Sequence, residues 1–314
     1  MESVSHAVDV IVPTFNSERT LNRCLDSIVK QEYSDEILIT IIDGGSSDDT
    51  IQIGKSYGAR IVVKNGMYGT GKNGARHYGE KITNSPLIWN IDSDNILLGK
   101  DVLSRLEKPM EYDPSIRISI PTTIIDPYSP SINKWISAVE IKKVENMAKK
   151  GTEASDGYIL MNDMFYGLTN CALVQRTVIE NVGGYDSDLR TLSRIRRAGL
   201  SKGIIDFKSH FYHDQVESLW EYIKKLDRRI KKFGGMNSAE FKQFFVEYPP
   251  RNADDSELKT GTLEAVLYEP FISLQRFFKE KERYWLWGIP CSTLFMAYAA
   301  LHPLLVKNLF QSFW

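Results

Sequence analysis

Residues 85–95 read SPLIWNIDSDN. The apolar run Leu87–Ile91 follows a proline and stops at two aspartates one residue apart, Asp92 and Asp94. A short apolar run bounded by turn residues reads as a buried strand. A buried strand that ends in paired carboxylates is a place to hold a divalent cation. Hard oxygen ligands suit Mg²⁺ or Mn²⁺, and such ions usually also bind phosphates. Alternate residues of an extended chain share a side, so Asp92 and Asp94 can converge on one ion if the strand continues through them. The competing reading is a plain surface turn, where Asp and Asn are common. The flanking sequence decides between them.

Upstream, Val8–Val12 reads as a buried strand and Pro13-Thr14-Phe15-Asn16 as a turn. Leu21, Leu25, Ile28 and Val29 then recur at helical spacing, with Ser17 placed to cap the helix. Ile37–Ile42 is a second β-branched strand, ending in Asp43-Gly44-Gly45-Ser46-Ser47-Asp48. A short helix carries Ile51, Ile53 and Tyr57, and Arg60–Val63 is a third strand. Gly66 to Gly74 leads into a helix near Ala75–Ile82. Strands alternating with helices at this spacing mean βαβ units and a mostly parallel sheet, an α/β fold. Ligands of such sheets bind outside the carboxyl ends of the strands. Asn16 with Glu18, Asp43, and Asp92 with Asp94 stand at three such ends, so they should gather at one crevice.

Beyond Asn95 the period changes. Leu103, Leu106 and Met110 fit a helix, Ile116–Ile120 a strand, and 132–147 a second helix. Gly167–Val174 reads as a strand, followed by a short helix to Val182 and a turn at Gly183-Gly184-Tyr185. A helix from Leu189 ends at Gly199, a residue suited to the C′ position. Leu219, Ile223, Leu226, Ile230 and Phe233 form an apolar stripe among Lys224, Lys225, Arg228, Arg229, Lys231 and Lys232. A basic amphipathic helix of this kind suits an anionic membrane surface, or a solvated face.

The 314 residues are 42% hydrophobic and 25% charged, ordinary values for a globular chain. A net charge of −1 gives no global field for nucleic acid. Cys24, Cys171 and Cys291 are too few and too far apart for a disulfide framework or a CxxC metal site, which points to a reducing compartment. Residues 284–306 contain no Lys, Arg, Asp or Glu. That length could cross a bilayer, which takes about 20 residues. Pro290 and Pro303 interrupt it, however, and Trp285, Trp287 and Tyr298 favour the interface. An in-plane or re-entrant membrane segment is the expectation.

The ordered pieces VDVIVPTFNSERTLNRCLDSI (8–28), IIDGGSSDDT (41–50), GARHYG (74–79), SPLIWNIDSDN (85–95), TNCALVQRTVIENVGGYDSDLRTLSRIRRAG (169–199) and FYHDQVESL (211–219) resemble the family 2 glycosyltransferases, which have a GT-A fold. The resemblance covers about residues 8–220. It implies inverting transfer of a sugar from a nucleotide diphosphate donor, with a GT-A catalytic domain over 1–235. A helical, apolar, membrane-associated region over 236–314 would follow. In the family's pattern Asp43 contacts the nucleotide, with Pro13, Thr14, Asn16 and Glu18 beside it. Asp94 grips a Mn²⁺ or Mg²⁺ ion, and Asp92 faces the nucleotide side. His213 falls where some members place a further metal ligand or a phosphate contact, and Arg76 matches an arginine of the nucleotide-binding segment. The ion would neutralise charge developing on the diphosphate leaving group.

A general base must also take the acceptor's proton. The family's usual Glu-Asp-x-Asp is degenerate here. Counting back from Arg197-Ala198-Gly199 puts Asp188 at the base position, with Asp186 the competing candidate. The implied acceptor is lipid-linked, a polyprenyl phosphate or a glycolipid, at the cytoplasmic face of the cell membrane. No Gln-x-x-Arg-Trp motif is present, which argues against a processive polysaccharide synthase. A nucleotidyltransferase would carry a glycine-rich basic loop where Pro13–Asn16 stands. A non-catalytic nucleotide-sugar-binding membrane scaffold is the alternative that the degenerate base segment keeps open.

Overall fold

A computed structural model describes residues 7–64, 71–164, 168, 171–186, 188–224, 278, 282–287 and 290, with only the backbone described at 71, 72, 188–190 and 285. The strands are β1 (Val8–Thr14), β2 (Ile37–Asp43), β3 (Arg60–Val63), β4 (Leu87–Asn90), β5 (Asn95–Leu98), β6 (Ile118–Thr123), β7 (Thr152–Glu153), β8 (Tyr158–Met161), β9 (Ala172–Gln175) and β10 (Gly203–His213). The helices are α1 (Glu18–Val29), α2 (Thr50–Ser56), α3 (Gly71–Ile82), α4 (Val102–Tyr112), α5 (Ser131–Ala148), α6 (Arg176–Asn181) and α7 (Asp188–Arg197). The chain divides into two compact units, 1–126 with 137–214 and 127–136 with 215–314.

The larger unit is built on one mixed sheet of order 3-2-1-4-9-6-10-8-7, with β5 attached to β10. The first four strands in that order are parallel, as the βαβ spacing requires. β1 has β2 on one side and β4 on the other, so the chain reverses its winding there. That is the point at which open α/β sheets bind ligands. The register sets Thr14 against Asp43. The Ile91 N–H donates to the Ile11 carbonyl at 3.2 Å, carrying the β1/β4 ladder one bond past the end of β4.

Both faces of this sheet are covered. Val8, Val10 and Val12 pack with Leu21, Leu25 and Ile28 of α1 on one side. Ile11 and Ile88 pack with Ala75, Val178, Ile179, Leu192 and Ile195 on the other. Hence β1 and β4 are buried at every position and do not alternate. A Cβ on Gly79 would lie 2.7 Å from Ile11 Cγ2, so glycine lets α3 approach β1 closely. Asp9, buried within β1, accepts from Arg176 Nη2 and the Ser85 N–H, both at 2.7 Å. A buried charge is tolerated when paired in this way.

The structure changes several expectations. β1 runs through Pro13 and Thr14, so those two residues belong to the strand and not to the turn. β4 ends at Asn90, which leaves Asp92 and Asp94 in a turn rather than on an extended strand. The later strands occupy Ile118–Thr123 and Ala172–Gln175. β5, β7, β8 and β10 were not legible. The Gly183-Gly184 turn has φ of +81° and +86°, a backbone that favours glycine, and residues 219–224 are helical. Among the described residues no helix is long and apolar enough to cross a membrane. The basic stripe beyond Lys224, and most of 236–314 including nearly all of 284–306, lie outside the described residues.

In the smaller unit, the Asn133 side-chain oxygen accepts from the backbone N–H groups of Gln215 and Val216. Trp135 meets Tyr222 edge-on with ring centres 6.0 Å apart. Trp135 is therefore a packing residue.

Candidate active site

The turn after β4 is closed twice on Asp92. The Asn95 N–H donates to the Asp92 carbonyl, and Asn95 Oδ1 accepts from the Asp92 N–H, both at 2.9 Å. Asn95 is fully buried. Its side chain completes the turn, which explains the fourth residue of Asp-Ser-Asp-Asn, and sequence reasoning missed it. Asn95 also starts β5, which pairs antiparallel with β10 so that Asn95 faces His213. The Asp214 N–H donates to the Asp94 carbonyl at 2.8 Å. The β5/β10 ladder thus brings His213 to the aspartate turn.

One ligand atom from each of Asp92, Asp94 and His213 lies within 4.8 Å of the other two. These are the three metal ligands expected from the sequence. The extended-strand route to their convergence was not the right one, because a turn and a strand pairing do the work. His213 Nε2 stands 3.5 Å from Asp94 Oδ1, and His213 Nδ1 stands 2.9 Å from Glu140 Oε2 on α5. Burial works against the imidazolium, but Glu140 and Asp94 outweigh it and raise the His213 pKa from 6.5 to about 9. Two carboxylates and an imidazole fit Mn²⁺ or a similar divalent ion, whose charge would replace that of the proton.

Arg76 is 1% exposed and its Nη2 donates to Asp92 Oδ1. Nη1 donates to Asn73 Oδ1 at 3.2 Å. The arginine therefore acts beneath Asp92, neutralising and orienting it. Asp214 accepts from Arg19 at 3.0 Å and from Arg23 at 3.3 Å, which ties the end of β10 to α1. Neither arginine carried a signal in the sequence beyond its helical position.

The residues at the ends of β1 and β2 are engaged with each other. Asp43 is fully buried and accepts from Thr14 Oγ1 (2.8 Å), Ser46 Oγ (2.5 Å) and the N–H groups of Gly45 (2.9 Å) and Ser46 (2.7 Å). Asn16, at φ 48°, accepts from the Ser47 N–H, and its own N–H donates to Ser46 Oγ. The Glu18 N–H donates to Asp48 and the Glu18 carboxylate accepts from the Asp49 N–H. These contacts clasp the loop after β1 to the loop after β2. Pro13 and Thr14 sit on β1 at the root of the clasp.

Asp188 opens α7, and its side chain is outside the described residues. Asp186 is exposed, and its N–H donates to Thr191 Oγ1 at 3.0 Å. Burial drives the thiol pKa values of Cys24 and Cys171 well up, so neither is a nucleophile at neutral pH.

Comparison with known proteins fits this geometry. Over 123 residues the chain is 35% identical to an N-acetylglucosaminyltransferase of Bradyrhizobium diazoefficiens, a match covering 37% of this chain and 24% of the relative. It is 34% identical over 117 residues to an N-acetylglucosaminyltransferase of Bradyrhizobium elkanii, covering 35% of this chain and 62% of that protein. The match therefore spans less than two thirds of either relative. Among solved structures, a mannosyltransferase of Pyrobaculum calidifontis in complex with GDP-Man and Mn²⁺ superposes with a TM-score of 0.54 at 16% identity. That match covers 97% of this chain and 79% of the other, and it establishes a GT-A-like α/β fold. The sequence pattern of glycosyl transferase family 2 matches residues 9–183. A parallel half-sheet that reverses its winding at β1, an aspartate turn at that point and a family pattern covering more than half of the sequence agree that this chain belongs to glycosyl transferase family 2.

Proposed function

We propose that the chain is a metal-dependent, inverting glycosyltransferase that uses a nucleotide diphosphate sugar as donor and acts on a lipid-linked acceptor. The observation that carries the reading is the gathering of Asp92, Asp94 and His213 within 4.8 Å at the sheet's reversal point. A divalent ion there would supply positive charge against the diphosphate leaving group. The chain's own residues do the rest. Arg76 pairs with Asp92 and aims it, and the β5/β10 ladder keeps Asp94 and His213 side by side. Asp188, with Asp186 as the competitor, is the carboxylate that would take the acceptor's proton. A phosphate acceptor would relax that demand, because its proton is already lost near neutral pH.

The curated relatives named N-acetylglucosaminyltransferase favour a UDP-linked N-acetylhexosamine as the first donor to test. The catalytic part is read as 1–235 and the membrane-associated part as 236–314, at the cytoplasmic face. Supporting a membrane surface, Trp220 is 63% exposed and Lys224 Nζ lies 5.6 Å from its ring centre. An aromatic ring beside a long cationic side chain suits a lipid headgroup region.

The test is a panel of radiolabelled UDP-GlcNAc, UDP-glucose and GDP-mannose with Mn²⁺, membranes and polyprenyl phosphate, comparing the native protein with Asp94→Ala. Transfer from one donor that disappears in the variant is expected. Donor binding without transfer from any donor would instead identify a non-catalytic scaffold.

A further inference from the structure

We infer that Glu140 is a positioning residue of the metal site, its carboxylate holding the His213 ring by Nδ1 so that Nε2 is presented beside Asp94. The inference rests on reading Asp92, Asp94 and His213 as ion ligands. A carboxylate only accepts hydrogen bonds, so the 2.9 Å contact from Glu140 Oε2 keeps the hydrogen on Nδ1. In the neutral ring, the form that binds a cation, the lone pair is then on Nε2, the nitrogen 3.5 Å from Asp94 Oδ1. A ring rotated by half a turn would lose this bond and point the wrong nitrogen at the turn. Ligating histidines commonly need such a carboxylate behind them.

Asp214, next to His213, is occupied by Arg19 and Arg23. Glu140 reaches the ring from another element, α5, with its side chain 15% exposed. A purely structural alternative exists, in which the pair only staples α5 to β10. The two differ in what the ion experiences.

The probe is Mn²⁺ alone on the full chain. Affinity is read from the signal of free Mn²⁺, and ligation from the imidazole-nitrogen modulation in pulsed electron paramagnetic resonance of the bound ion. The native protein is expected to show that modulation and His213→Ala to lack it. Glu140→Ala should lose most of it at saturating Mn²⁺ and bind the ion about 10–100-fold more weakly. Glu140→Gln, whose amide oxygen still accepts from Nδ1, should keep the modulation with a smaller loss of affinity. If Glu140→Ala does not fold by circular dichroism, Glu140→Asp replaces it. The shorter carboxylate should bind Mn²⁺ more weakly than Glu140→Gln does. Native modulation and affinity in Glu140→Ala, or in Glu140→Asp, overturn the inference and leave the metal site standing. Absence of nitrogen modulation in the native protein overturns His213 as a ligand and the inference with it.

Discussion

At the end of β2 the Asp43 carboxylate is filled by four hydrogen bonds from neutral donors, Thr14, Gly45 and Ser46. Past the end of β4, at the same edge of the sheet, Asp92 and Asp94 are gathered by a turn, a buried arginine and a histidine. Both are acidic strand ends, and sequence pattern alone ranks them alike. The difference lies in the donors. A carboxylate filled by its own loop and by Thr14 of β1 ties two strand ends together. Two carboxylates brought close, with an imidazole beside them, form a set that suits a divalent cation.

Asp94→Ala is the sharpest way to break this contrast. It should reduce sugar transfer by about a thousandfold, ~4 kcal/mol, while leaving the urea midpoint nearly unchanged. A variant that keeps its transfer rate would remove the ion from the mechanism. Next in size, Arg76→Met leaves Asp92 buried without its guanidinium, at a cost of about 3 kcal/mol in chemical denaturation. Unaltered stability would mean that the arginine serves the donor and not Asp92.

Asp43→Asn should cost roughly 2 kcal/mol of stability, because an amide replaces one acceptor oxygen by a donor facing other donors. Mn²⁺ affinity should not move. A loss of nucleotide affinity at constant stability would instead mark Asp43 as the donor contact expected from the sequence. Smallest is Asn16→Gly. Glycine relaxes the φ of 48° while the bond to the Ser47 N–H is lost, so the net change should stay below about 1 kcal/mol in the same urea titration.

Much of the parallel half-sheet was readable because its strands are continuous apolar runs between turn residues. Val8–Val12, Ile37–Ile42 and Leu87–Ile91 gave β1, β2 and β4 nearly to the residue. The gathering of Asp92, Asp94 and His213 was readable too, the aspartates from spacing and His213 from the family resemblance. What stayed hidden depends on pairing between distant segments. β5 is only Asn95–Leu98, too short to show a period. β10 carries Asp206, Lys208, Ser209 and His210, and its register shifts between Asp206 and His210, so no clean alternation survives. Arg76 read as part of the nucleotide-binding segment, and nothing local reveals that Asp92 lies against it. Glu140 sits in an ordinary helical stretch, and its partner is remote in sequence.

The β5/β10 ladder has a consequence for biosynthesis. Asp94 and His213 are 119 positions apart, and the strand that delivers His213 is the last of the sheet to be translated. A nascent chain that has not yet added β10 holds only the two aspartates, without the imidazole. The completed trio of Asp92, Asp94 and His213 therefore forms only once β10 has joined the sheet. An ion held there would favour the closed sheet by mass action, a late latch on an otherwise finished fold.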